Sequence, residues 1–172
     1  MRLANLQLIR YGKFTDVEIP LPRSDCDFHL FVGPNEAGKS TLRSAVSELL
    51  FGFPVRSRAM SFLHPQSELR LGGLIADDKQ SLNFVRIKAN KNSLRTSSDE
   101  VIADNELDLY LGATDKDFFE QMFALDHLQL VRGGETILDA SKDVSQVLFQ
   151  SAAGVAGLGE IKASLLEERD RL

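Results

Sequence analysis

Gly33-Pro34-Asn35-Glu36-Ala37-Gly38-Lys39-Ser40-Thr41 is the stretch on which the reading of this 172-residue chain turns. It fits the pattern G-x-x-x-x-G-K-[ST]. Glycine at positions 33 and 38 lets the backbone turn tightly enough for several N–H groups to face one concavity. Before the motif, Phe28-His29-Leu30-Phe31-Val32 is a short apolar run, which predicts a buried strand of a mostly parallel sheet. After it, Leu42, Ala45, Val46, Leu49, Leu50 and Phe53 recur at three- and four-residue steps. That period predicts a helix from Ser40, ended by Gly52 and Pro54. A glycine-rich loop between a strand and a helix is a phosphate cradle, because the loop amides and the helix's positive end meet the same anion.

The chemistry follows from the residue types. Gly33, Pro34, Asn35, Glu36, Ala37 and Gly38 would supply the backbone of the cradle, and Lys39 would reach the β- and γ-phosphates as a point charge. The Ser40 hydroxyl is suited to Mg²⁺, and Thr41 to an α-phosphate oxygen. ATP and Mg²⁺ are therefore the expected cofactors. Guanine reading is not expected, since Asn90-Lys91-Asn92-Ser93 has serine where a GTPase motif needs a carboxylate.

Working outward, residues 3–9 and 16–21 alternate apolar with polar and predict two strands joined by a turn at Tyr11-Gly12-Lys13. Residues 55–68 are polar and irregular, and read as a surface loop. Residues 69–76 and 82–88 predict a hairpin closed by Asp77-Asp78-Lys79-Gln80, with a third short strand at 94–96. The chain then turns helical. Thr114-x-x-Asp117 resembles a capping box ahead of Phe118, Phe119, Met122 and Phe123. Ser141 is placed to cap a helix carrying Val144, Val147 and Leu148, before a Gly/Ala-rich interruption at 152–159. Ile161, Leu165 and Leu172 then recur at heptad-like steps.

The expected fold class is thus α/β, with a P-loop core spanning 1–157 and a coiled coil opening at 158–172. The core includes a hairpin-rich subdomain at about 69–96 and a helical segment at about 104–157.

Composition narrows the class. Hydrophobic residues make up 43% and charged residues 26%, an ordinary globular mix. A single cysteine, Cys26, excludes an internal disulfide framework, and with three histidines it gives no structural zinc pattern. No apolar run of about 18 residues and no signal-peptide pattern occur, so a cytoplasmic protein without a membrane span is expected. The net charge of -5 hides a split: residues 1–98 carry 14 basic and 9 acidic side chains, residues 99–172 carry 6 and 16. Within 79–95 lie Lys79, Arg86, Lys88, Lys91 and Arg95 with no acid. This stretch is either a solvated hairpin face or a ribbon that tracks DNA phosphates through Arg86, Lys88, Lys91 and Arg95.

One part of an ATPase site does not follow the P-loop. Four apolar residues ending in Asp or Asp-Glu, which would hold the Mg²⁺ shell and position water, occur nowhere later, and signature residues of Leu-Ser-Gly-Gly type are missing. The chain reads as the first half of such a site, truncated or dependent on another segment.

Met1-Arg2-Leu3 opening directly into a strand, with Gly-Pro-Asn-Glu-Ala-Gly-Lys-Ser-Thr some thirty residues on, resembles the N-terminal ATP-binding segment of SMC-like, ABC-type ATPases of the SbcC and RecF kind. Within them it is most similar to the bacterial YhaN-like group, through Phe119-x-x-x-Phe123-Ala124-Leu125-Asp126-His127 and Leu148-Phe149-x-Ser-Ala-Ala-Gly154. The resemblance implies a partner half. The chain would continue into a long coiled coil and return with the signature motif, the acidic strand and a catalytic glutamate. Two heads would then sandwich ATP as a homodimer, acting on DNA in repair, with a nuclease subunit as a further partner. It also implies that Lys13, in the first turn, approaches the nucleotide, although a solvated lysine is the plainer reading. SbcC-type proteins carry a Q-loop glutamine where counting from Phe118 gives Asp126. Asp126 is thus a candidate for catalysis and Mg²⁺, with Gln129 close enough to serve instead, and a helix-end cap is the structural alternative. Two other functions stay open from sequence: a stand-alone P-loop kinase, and a nucleotide-gated dimerisation module without turnover.

Overall fold

The computed structural model describes residues 1–78, 80–112, 114–124 and 130. The chain divides into two units, Met1–Gly112 and Ala113–Leu172.

The first unit is built on one antiparallel sheet. β1 (Arg2–Tyr11) and β2 (Phe14–Pro20) form the expected hairpin, β3 (Arg70–Ala76) and β4 (Ser81–Ile87) a second, and β5 (Leu94–Arg95) closes the order β2-β1-β3-β4-β5. Pairings such as Leu6 with Gly73 and Leu8 with Leu71 set the register between the hairpins. Leu6, Leu8, Leu71, Ile75, Phe84 and Leu94 are buried, and the alternation in β1 and β3 shows why: the period-2 apolar positions share one face.

α1 (Lys39–Phe51) packs on that face through Ala45, Leu49 and Leu50. β3 makes room with a glycine. A Cβ on Gly73 would stand 2.6 Å from Leu49 Cδ2, so any larger residue would force the Leu49 side chain to shift. Burying each such leucine is worth about 1.5–3 kcal/mol, enough to make the helix's seat well defined.

The apolar run 28–32 corrects an expectation. It forms no strand, the sheet is antiparallel rather than parallel, and Phe28 and Val32 are 76% and 84% exposed. The physical reason is pairing. A strand exists only where a neighbour takes its N–H and C=O groups, and among the described residues none lies alongside. The segment before it is nonetheless tied down: Arg2 Nε donates to Asp27 Oδ2 at 2.6 Å, and this contact holds the Asp27 carboxyl below its usual range.

In the second unit, α3 (Lys116–Met122) is capped by Asp115, whose Oδ1 accepts from the Phe118 amide at 2.7 Å. The expected cap at Thr114 is therefore displaced by one residue, because the carboxylate is the better acceptor for a helix N-terminus. Phe119 and Phe123 stack with ring centres 5.8 Å apart. The remaining short helix, α2 (Asp108–Leu111), ends the first unit. Asp126, Gln129, the Ser141 helix and the coiled-coil start lie outside the described residues. No helix among the described residues is long and apolar enough to cross a membrane.

Candidate nucleotide site

The loop 33–38 leads into α1 without a side-chain cap. Gly38 occupies the N-cap position with φ +102°, and the first turn of the helix contains no acid. The first amides of α1 thus have neither a capping oxygen nor a competing carboxylate, and they face the loop with the helix's positive end. That is a setting for an anion.

Two lysines converge on the loop. Lys39 Nζ donates to the Gly33 carbonyl at 2.7 Å and the Pro34 carbonyl at 2.8 Å. Lys13 Nζ donates to the Glu36 carbonyl from the β1–β2 turn. The structure brings Lys13 to the loop, where the resemblance alone had suggested it. Both ammonium groups are exposed and held by neutral carbonyls, partners that a triphosphate oxygen outcompetes through its charge. Ser40 is exposed and Thr41 half-buried at the helix start.

The loop's shape is held by contacts that leave little slack. A Cβ on Gly38 would stand 2.5 Å from Phe14 Cζ, and one on Gly33 would stand 2.9 Å from the Ala37 Cβ. Gly12, with φ +60°, is equally confined: its Cβ would meet Thr41 Cγ2 at 2.7 Å. The β1–β2 turn therefore lies directly against the end of the motif. Residues 55–68, expected as a plain surface loop, dock on the same turn through Gly12 N–H donating to the Met60 carbonyl at 2.9 Å. His64 Nε2 lies 3.1 Å from the Phe14 carbonyl oxygen and 3.0 Å from Thr15 Oγ1.

Gly12, Phe14 and His64 were not among the candidate site residues. Phe14 follows Lys13 directly, yet nothing in its spacing marks it as a wall of the motif.

The cationic ribbon is resolved residue by residue. Arg86 is only 6% exposed and is not on an outer face. It shares the face of Phe84, where its Nε donates to the Leu49 carbonyl at 2.6 Å and its Nη2 to the Leu50 carbonyl at 3.0 Å. Nη1 donates to Ser93 Oγ at 2.7 Å. Burial pushes this guanidinium down to about 10, partly offset by Asp104, so it stays charged at neutrality. Arg86 is thus a C-terminal cap for α1, whose last turn has no cation of its own, and it is withdrawn as a DNA contact. Lys88 is half-buried and donates to the Ser57 carbonyl, while Arg95 donates to Asn92 and Asp99 carbonyls at 3.2 and 3.1 Å. Lys91 is exposed.

The Gly38–Ser40 corner, two lysines and uncapped amides fit a bound triphosphate with its magnesium at the Ser40 hydroxyl. Among the described residues no cluster of three or more His, Cys, Asp or Glu stands ready to hold a metal by itself.

A family model described as an AAA domain matches residues 1–172. The chain is 26% identical over 179 residues to "Uncharacterized protein YhaN" of Bacillus subtilis (strain 168). That match covers 100% of this chain and 18% of the relative, so the chain spans about a fifth of the relative's length. No solved structure matches the chain. The likeness to the YhaN-like group holds along the whole sequence, and the chain belongs to the AAA-domain family of P-loop ATPases.

Proposed function

We propose that this chain is the ATP–Mg²⁺-binding N-terminal part of an SMC-like ATPase head. The single observation that carries the reading is the loop 33–38 with Lys39 and Lys13 bound to its carbonyls, leading into an α1 without a side-chain cap. In this reading the loop amides and Lys39 hold the β- and γ-phosphates and stabilise the charge that spreads over the γ-phosphoryl oxygens as water attacks in line. The Ser40 hydroxyl would hold the magnesium, which would supply charge neutralisation at the phosphates.

The groups that would orient the water come from elsewhere in the head. The exposed run Phe28–Val32 supports that division, since a strand of the other half would cover it and complete its pairing. Head-to-head dimerisation on ATP, a cytoplasmic setting and contact with DNA through Lys88, Lys91 and Arg95 extend the same reading. Asp126 or Gln129 would take the Q-loop role.

The test is turnover against binding. The 172-residue chain should bind ATP–Mg²⁺ yet hydrolyse it hardly at all. Robust steady-state hydrolysis that disappears in Ser40→Ala would show a complete site within this chain and contradict the divided head.

A further inference from the structure

The imidazole of His64 ties a segment about fifty residues away in sequence to the turn that carries Lys13. Its Nε2 is in reach of two oxygens of that turn, the Phe14 carbonyl at 3.1 Å and Thr15 Oγ1 at 3.0 Å. A carbonyl can only accept, so Nε2 carries the hydrogen and the two oxygens share it. The neighbours of His64 grip the same turn through backbone groups. The Gly12 amide donates to the Met60 carbonyl at 2.9 Å, and the Leu63 amide donates to the Gly12 carbonyl at 3.4 Å. Ser61 Oγ donates to the His64 carbonyl at 2.7 Å, which fixes the backbone from which the imidazole projects.

What the imidazole holds sits against the loop 33–38. A Cβ on Gly38 would meet Phe14 Cζ at 2.5 Å and Lys13 Cε at 3.2 Å, so both side chains close on one point. Lys13 Nζ lies 5.7 Å from the centre of the Phe14 ring and donates to the Glu36 carbonyl. Ring and ammonium thus bear on the loop together, and the carbonyl that His64 takes belongs to the same residue as the ring. A lysine ammonium rides on a flexible four-carbon stem, so its reach depends on where the backbone and the ring beside it are fixed.

We propose that His64 is a positioning residue for nucleotide binding: by holding the Phe14 carbonyl, it keeps Lys13 in reach of a phosphate bound in the loop 33–38. The inference rests on the nucleotide reading of the loop. His64 acts as a hydrogen-bond donor working through Lys13, and not as a charge on the phosphate. A neutral donor of similar reach should therefore replace it.

Calorimetric titration of ATP–Mg²⁺ into the 172-residue chain and its variants tests this. His64→Ala should weaken ATP by roughly 2- to 10-fold, the range of one neutral hydrogen bond. His64→Gln, whose amide N–H can reach the same carbonyl, should restore the affinity, whereas His64→Asn, one carbon shorter, should not. Lys13→Met should weaken ATP as well, and adding His64→Ala to it should cost nothing more, because the two act as one unit. A purely structural histidine would cost the same with or without Lys13. Should His64→Ala fail to fold, the comparison of His64→Gln with His64→Asn decides the question. The inference alone falls if ATP affinity is unchanged in His64→Ala or in Lys13→Met, if glutamine does not restore it, or if the full loss persists in the Lys13→Met background. A wild-type chain that binds no ATP overturns the nucleotide reading and this inference with it.

Discussion

At the scale of single residues, two positions carry costs that their neighbours dictate. Gly38 combines φ +102° with a Phe14 ring atom 2.5 Å from any added Cβ. Gly38→Ala should therefore lower stability by roughly 1–3 kcal/mol and also weaken ATP, because the loop must shift to relieve the clash. Thermal melts with and without ATP check it; an unchanged melting temperature and affinity would contradict the close approach. Arg86 is the second position. Arg86→Met keeps the apolar stem but strands the Leu49 and Leu50 carbonyls, at about 1–3 kcal/mol each. Denaturant unfolding should show that loss, whereas a surface cation would cost almost nothing. The sequence presents Arg86 as one more cation in an acid-free stretch, and its true place depends on a helix end 36 residues earlier in the chain. Local pattern has no access to such a pairing.

Elements differ in how much of themselves the sequence contains. β1 and β2 each carry their own alternation, β3 and β4 are strand-like stretches joined by a polar turn, and α1 carries its own three- and four-residue period, so all five were legible within a residue or two. The P-loop motif was legible for a different reason: glycine is required by the turn, while lysine and serine are the residue types that a phosphate and its Mg²⁺ would call for. Phe28–Val32 was not, because an apolar run shows a wish to be buried without showing what will bury it. The docking of 60–63 on the β1–β2 turn was hidden too, since it uses backbone groups that every residue has. The ribbon around β4 and β5 has its own test. If Lys88, Lys91 and Arg95 each touch a phosphate in the complete protein, changing all three to alanine should reduce the log–log salt slope of DNA binding. The drop should be roughly 2 to 3, at about 0.9 per duplex contact. Lys91 should account for the first unit of that change, being exposed while the other two hold backbone carbonyls. ATP affinity should not move. An identical slope would leave the stretch as a solvated face.

For the whole molecule, the fold's purpose is to hold one corner still. The sheet seats α1 through Gly73 and Leu49, Arg86 closes the helix's far end, and Phe14 and Gly12 brace its near end. In the proposed reading, ligand binding is a local exchange, in which Lys39 would trade two carbonyls for phosphate oxygens while the core stays as it was. Calorimetric titration of ATP–Mg²⁺ into the wild-type chain and into Lys39→Ala tests this most directly. The account predicts measurable binding by the wild type and none by the variant, with both chains melting at the same temperature, because Lys39 is exposed and contributes no core atoms. Equal ATP affinity in the two would contradict it.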